Sequence, residues 1–158
     1  MSATEAGDAA LAGGQGGEPE GITSHHARVR WQGSKEDLRA HTTTVGGQAI
    51  GGSCSPRWGG DPAQADPEGL FVASLSTCHM LWFLDLARRE RLRVTSYEDS
   101  AEGTMDESRF THVALRPRVE FEREVEADTV ARLHHAAHHR CYIANTVSCP
   151  VEVEPWGP

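Results

Sequence analysis

No CxxC pair, no HExxH segment and no internal repeat occurs in the 158 residues. The first two absences remove the commonest zinc signatures, and the third removes solenoid and propeller architectures. The four cysteines show no tight repeating spacing. The first residues also lack a basic segment followed by an apolar run. A secreted disulfide framework is therefore not expected, and a cytoplasmic, reducing setting is. Uninterrupted apolar runs are missing too. The longest candidate, Leu70 to Ala87, is broken by Ser74, Ser76, Thr77, His79 and Asp85. It is read as a buried helix and not as a membrane span.

Positive charge is scarce. The formal net charge is -8, and residues 1–24 hold Glu5, Asp8, Glu18 and Glu20 without a Lys or Arg, leaving -4 for the remainder. Nucleic acid is not an expected partner. The same 24 residues contain six glycines and no aromatic side chain. They cannot bury enough apolar surface to offset ordering entropy, so a disordered tail over 1–24 and one domain over 25–158 are expected.

Within the domain, Val29 and Trp31 alternate with Arg28, Arg30 and Gln32, the pattern of a strand with one buried face. LRAHTTTV and QAIGGS, separated by Gly46-Gly47, read as two further strands joined by a glycine turn. After a loop rich in proline and glycine, Asp66-Pro67-Glu68 supplies a helix cap, a first-position proline and a first-turn acid. A helix of about six turns running towards Arg91 follows. Its apolar residues surround nearly the whole circumference, which predicts enclosure on all sides.

RLRVTSYEDSAEGTM reads as a strand. THVALRPRVEFE alternates Val113, Leu115, Val119 and Phe121 with polar residues, and Pro117 marks an edge or bulge. A second helix is expected from about Asp128 to Ala144, with Val130, Leu133, Ala137, Cys141 and Ala144 on one side. A short strand within VSCPVEVEP closes the chain. The element order indicates an α+β domain and not a parallel βαβ array.

Two cysteines carry the chemical interest, Cys78 in LFVASLSTCHMLWFLDLARRERL and Cys141 in LHHAAHHRCYIANTV. Each is placed on a helix. A helix cysteine ordinarily packs as a small hydrophobe, and an apolar setting by itself raises its pKa, so a nucleophilic thiol needs a cationic partner. In a second reading, His134, His138 and Cys141 share a face and hold zinc or a small ligand, with Cys78 as packing. Cys54 and Cys149 are read as structural or incidental.

Three segments, DPEGLFVASLSTCHMLWFLDLARRERL, LRPRVEFE and LHHAAHHRCYIANTVSCPVEVEP, together resemble the OsmC/Ohr family of osmotically inducible and organic-hydroperoxide-resistance proteins. The specific marks are an acid ten positions before a helical Cys-His and an AHxxC helix end continued by Ile-Ala-Asn. This resemblance implies antiparallel sheets packed around a long central helix in an interleaved homodimer. It also implies peroxidase activity on organic hydroperoxides without metal or organic cofactor, recharged by a dithiol or lipoyl-type reductant. On matching positions Cys78 is the peroxidatic thiol, Cys141 the resolving thiol, Glu68 the acid and Arg39 the thiolate-supporting arginine, with Arg57 as its substitute. Where the hydroperoxide-resistance branch reads Cys-Pro-Tyr-Ser at the second cysteine, this chain has Cys141-Tyr142-Ile143, the pattern of a separate OsmC-like branch.

Overall fold

The computed structural model describes residues 21–33 and 35–155. Most of the tail expected over residues 1–24 lies outside them. The N-terminal meander forms as expected: β1 (Ala27–Arg30), β2 (His41–Val45) and β3 (Gln48–Gly52) pair antiparallel in that order. Val45 faces Gln48 across the two-residue turn. Gly46 and Gly47 both have positive φ, 56° and 81°. A type I′ hairpin demands that conformation of both central residues, and only glycine adopts it without a Cβ penalty.

The sheet is tied to the rest of the chain by a parallel bridge between Gly52 and Ala65. The amide of Ser53 donates to the Ala65 carbonyl (2.9 Å) and that of Ala65 to Gly51 (3.1 Å). The face expected to be buried is open in this single chain, with Val29 67% and Trp31 49% exposed. Alternation correctly marks an apolar face, but no helix among the described residues is placed to cover it.

The central helix α1 (Pro67–Arg89) begins where its capping residues dictate. Asp66 is extended, and its Oδ1 accepts from the Gly69 amide at 2.6 Å, a cap worth about 1 kcal/mol. Its other end is a Schellman closure: the Leu92 amide donates to Ala87 (2.9 Å), the Arg91 amide to Arg88 (3.0 Å), and Arg91 adopts φ 58°. Burial along α1 is narrower than expected. Leu75, His79, Phe83 and Ala87 form one buried stripe at four-residue steps, while Leu81 is 58% exposed. The helix is long and apolar enough by composition to cross a membrane, but its buried stripe packs as a core helix does.

That stripe organises two apolar clusters. Leu75 joins Val113 and Leu115 of β6 (Phe110–Leu115), which lies between β5 (Glu102–Met105) and β8 (Val151–Val153). Phe83 and Ala87 join Leu133 and Ala137 of α2 (Ala127–Arg140), flanked by β4 (Val94–Asp99) and β7 (Pro117–Phe121). The single strand expected over RLRVTSYEDSAEGTM is thus two, β4 and β5, in different sheets. Likewise THVALRPRVEFE changes sheets at Arg116-Pro117. Proline has no amide to continue the ladder, and the preceding amide of Arg116 is taken by Asp99 Oδ1 at 2.7 Å. Asp99 Oδ2 accepts from Ser76 of α1 (2.5 Å), so the switch is anchored to the central helix. The fold is α+β. Among the described residues one pair of strands is parallel, β6 with β8, separated in sequence by β7 and α2.

Helix α2 stops at Arg140, four residues before the expected Ala144. Cys141 is extended (φ -69°, ψ 107°) and therefore outside the helix that the sequence reading gave it. The Asn145 side chain donates to the His139 carbonyl (3.1 Å), satisfying an acceptor that helix continuation would otherwise use. A separate turn then closes from Asn145 to Cys141 (3.0 Å).

Candidate functional site

The end of α2 delivers Cys141 to the middle of α1. Cys141 is 1% exposed, Cys78 is half-buried, and both are free thiols. The two thiols are near enough for Cys78 to act on the ionisation of Cys141. Burial pushes the Cys141 thiol up to about 11, reinforced by Cys78 and opposed by the amide of Ala144, which donates to Cys141 Sγ at 3.4 Å. Cys141 is therefore held as a thiol at neutral pH. One turn beyond Cys78, the Trp82 ring meets Tyr142 edge-on at 5.6 Å, and the Arg140 guanidinium lies 5.7 Å from its centre. Trp82 reads from the sequence as core in preference to a substrate contact, and Arg140 and Tyr142 have no assigned role there. Their signal is their direct adjacency to Cys141.

Glu68 occupies a different part of α1. Ten residues place it about 15 Å along the axis from Cys78. It lines a cavity of about 770 Å³ with Arg57, Trp58, Asp99, Glu102 and Phe110, among others. Its Oε2 is enclosed without a hydrogen-bond partner. Arg39 is exposed, and its Nε donates to the Trp58 carbonyl at 3.1 Å; Arg57 lies over the Trp58 ring at 5.2 Å. Both arginines thus stand at the Trp58 side of the Glu68 cavity, while the two cysteines meet further along the helix. Cys54 joins this group, its thiol 3.7 Å from the Trp58 carbonyl. Cys149 packs at the edge of the Leu75 cluster.

The zinc triad of His134, His138 and Cys141 does not form. His134 Nδ1 is hydrogen-bonded to His79 Nε2 at 3.0 Å, and Cys141 faces Cys78. Among the described residues, no three His, Cys, Asp or Glu side chains are arranged to hold a metal ion. His79 and His134 are instead a buried parallel pair, 0% and 3% exposed, with planes 5° apart. In the sequence His79 figures as an interruption of an apolar run and as the residue after Cys78 in the family mark, with no buried partner expected. Its place on the Leu75–Phe83–Ala87 stripe was the available clue.

Burial lowers His79 to about 3, with His134 and His138 adding to the effect, and burial lowers His134 to about 4. From about 6.5 down to those values the unfolded chain binds protons that the folded chain refuses. Stability is therefore fully present above that range and falls as pH drops through it. Urea midpoints measured at about pH 7.5 and pH 5 should show the loss. Carboxylates such as Asp85 and Asp106 are held below their usual range by their hydrogen bonds, so their contribution is lost at lower pH. A midpoint that does not move between the two conditions would contradict a neutral buried pair.

Residues 59–155 match the family model of OsmC-like proteins. Among solved structures, an OsmC-like protein of unknown function from Vibrio cholerae is 35% identical over 85% of this chain and 100% of its own, with a TM-score of 0.77. An organic hydroperoxide resistance protein from Elizabethkingia anophelis shares the fold at 17% identity and TM-score 0.65, covering 87% of this chain and 96% of that one. A Legionella pneumophila structure described as an organic hydroperoxide resistance protein OsmC and predicted redox protein gives 19% and 0.63, over 85% and 96%. No curated protein sequence matches the chain.

Proposed function

Because the chain belongs to the OsmC-like protein family, we propose that it is a cysteine-based peroxidase that reduces organic hydroperoxides. The observation that carries this reading is that half-buried Cys78 and buried Cys141 are neighbours, near enough for Cys78 to act on the ionisation of Cys141. The Cys78 thiolate attacks the terminal peroxide oxygen. The O–O bond breaks, the sulfur becomes a sulfenic acid and the alkoxide takes a proton to leave as an alcohol. Cys141 then attacks the sulfenic sulfur, its proton passing to the departing hydroxide as the S–O bond breaks. A disulfide forms and water leaves. A dithiol, of lipoyl or similar type, returns both cysteines to thiols and is itself oxidised to a disulfide. The two electrons come from thiols throughout, so this cycle calls on no metal or organic cofactor.

Cys78 is assigned as nucleophile, Cys141 as resolving thiol, and Glu68 as the acid that positions a cation supporting the thiolate. We assign that cation to Arg39, with Arg57 as the alternative. In this single chain both arginines lie on the Glu68 side, so the role requires the guanidinium to reach the sulfur. Slower alkylation of Cys78 at neutral pH in Arg39→Met identifies the first, since losing a positive charge at the thiolate disfavours the ionised sulfur. The same loss confined to Arg57→Met transfers the role. A homodimer fits the uncovered apolar residues Val29, Trp31, Val45 and Leu81, and sedimentation at micromolar concentration tests it.

The overall reading is tested by turnover with cumene hydroperoxide and a dithiol. The apolar neighbours of Cys78 along α1, Trp82 among them, predict a higher kcat/KM than for hydrogen peroxide. Absence of dithiol-dependent turnover with any organic hydroperoxide would contradict it.

A further inference from the structure

A second histidine pair lies on the outer side of α2, one turn apart at positions 135 and 139. Both residues are exposed. Their Nε2 atoms face each other at 3.1 Å, with ring centres 4.4 Å apart. Two neutral imidazoles in that pose can share only one proton between the facing nitrogens, and in water each would otherwise be solvated separately. A cation bonded to both at the usual metal–nitrogen length of about 2.0–2.1 Å would subtend about 95–100° there, the angle of adjacent positions around a six- or four-coordinate ion.

We propose that His135 and His139 form a bidentate site for a divalent transition-metal cation of the nickel, copper and zinc class. Three independent features support it. The pair lies in the last turns of α2, where the helix dipole favours positive charge. The nearby cations are engaged elsewhere, Arg132 with Glu90 at 2.6 and 2.7 Å and Arg140 over Trp82. His135 also borders a cavity of about 290 Å³ with His134, His138 and Pro155. There His134, 3% exposed, leaves its Nε2 enclosed and unpartnered, as does His138 its Nδ1. The cavity provides room and unpartnered ring nitrogens for waters on the ion. The site differs from the zinc triad read from sequence in using the outer pair and no thiol.

Nickel ion titrated calorimetrically into the intact protein at about pH 7.5 tests the proposal, with imidazole nitrogens as the preferred donors for this ion. One equivalent should bind, the affinity should persist in Cys78→Ser, and it should fall about tenfold or more in His135→Gln and in His139→Gln, because each leaves one arm of the chelate. Both histidines are exposed, so these variants keep the fold, which circular dichroism verifies. Absence of nickel uptake by the intact protein, unchanged affinity in either histidine variant, or loss of binding in Cys78→Ser would overturn it. None of these outcomes depends on peroxidase activity.

Discussion

In the Cys78→Ser protein, consumption of cumene hydroperoxide falls to the uncatalysed rate while the fold is retained. A serine hydroxyl at this position has no base to ionise it and is a far weaker nucleophile than a thiolate. Removing the attacking atom of a covalent mechanism commonly costs several orders of magnitude, so a loss of about a thousandfold or more is expected. Cys78 is half-buried and lies beside the stripe of α1 that forms the core. Exchange of sulfur for oxygen there changes little packing, and an unchanged denaturation midpoint would separate chemistry from folding. Turnover retained within about tenfold would remove Cys78 from the reaction.

The largest effect on stability is expected at Phe83. It is 0% exposed, stacks on His134 with ring centres 4.3 Å apart, and meets Tyr97 and Phe121 at 5.8 and 6.4 Å. Phe83→Ala removes the ring that joins α1 to both α2 and the β4–β7 sheet. Such truncations cost about 3–5 kcal/mol. Against a typical total of about 5–15 kcal/mol, this is a large fraction of the stability. It also uncovers one side of the neutral imidazole pair, which brings the folded pKa values of His79 and His134 back towards 6.5, so the loss of stability with acid should be smaller than in the parent. Urea denaturation at about pH 7.5 checks the first effect, and a loss below about 1 kcal/mol would mean that the site collapses around the missing ring.

Features set by local chemistry were legible in the sequence. Asp66 and Pro67 started α1, and Gly46-Gly47 closed the β2–β3 turn, because capping and positive φ depend on a few adjacent residues. Features set by distant partners were not. The end of α2 depends on Asn145 folding back to His139, and the sheet change at Pro117 depends on Asp99 taking a neighbouring amide. Periodicity found the apolar side of β1 without showing that Val29 and Trp31 stay open in one chain. The proximity of Cys78 and Cys141 followed from the family resemblance alone, since nothing in a separation of 63 residues (141 minus 78) implies contact. The His79–His134 pair was hidden for the same reason: burial and partnership across two helices are tertiary properties.

The central claim is that Cys78 and Cys141 form one redox pair, and peptide mapping of the peroxide-treated protein under non-reducing conditions tests it most directly. After one equivalent of cumene hydroperoxide, the intact mass should fall by about 2 Da as two thiols lose their hydrogens to a disulfide. Digestion should yield a single linked peptide containing Cys78 and Cys141. A linkage through Cys54 or Cys149, or a gain of one or more oxygens on Cys78 with Cys141 left as a free thiol, would contradict the account.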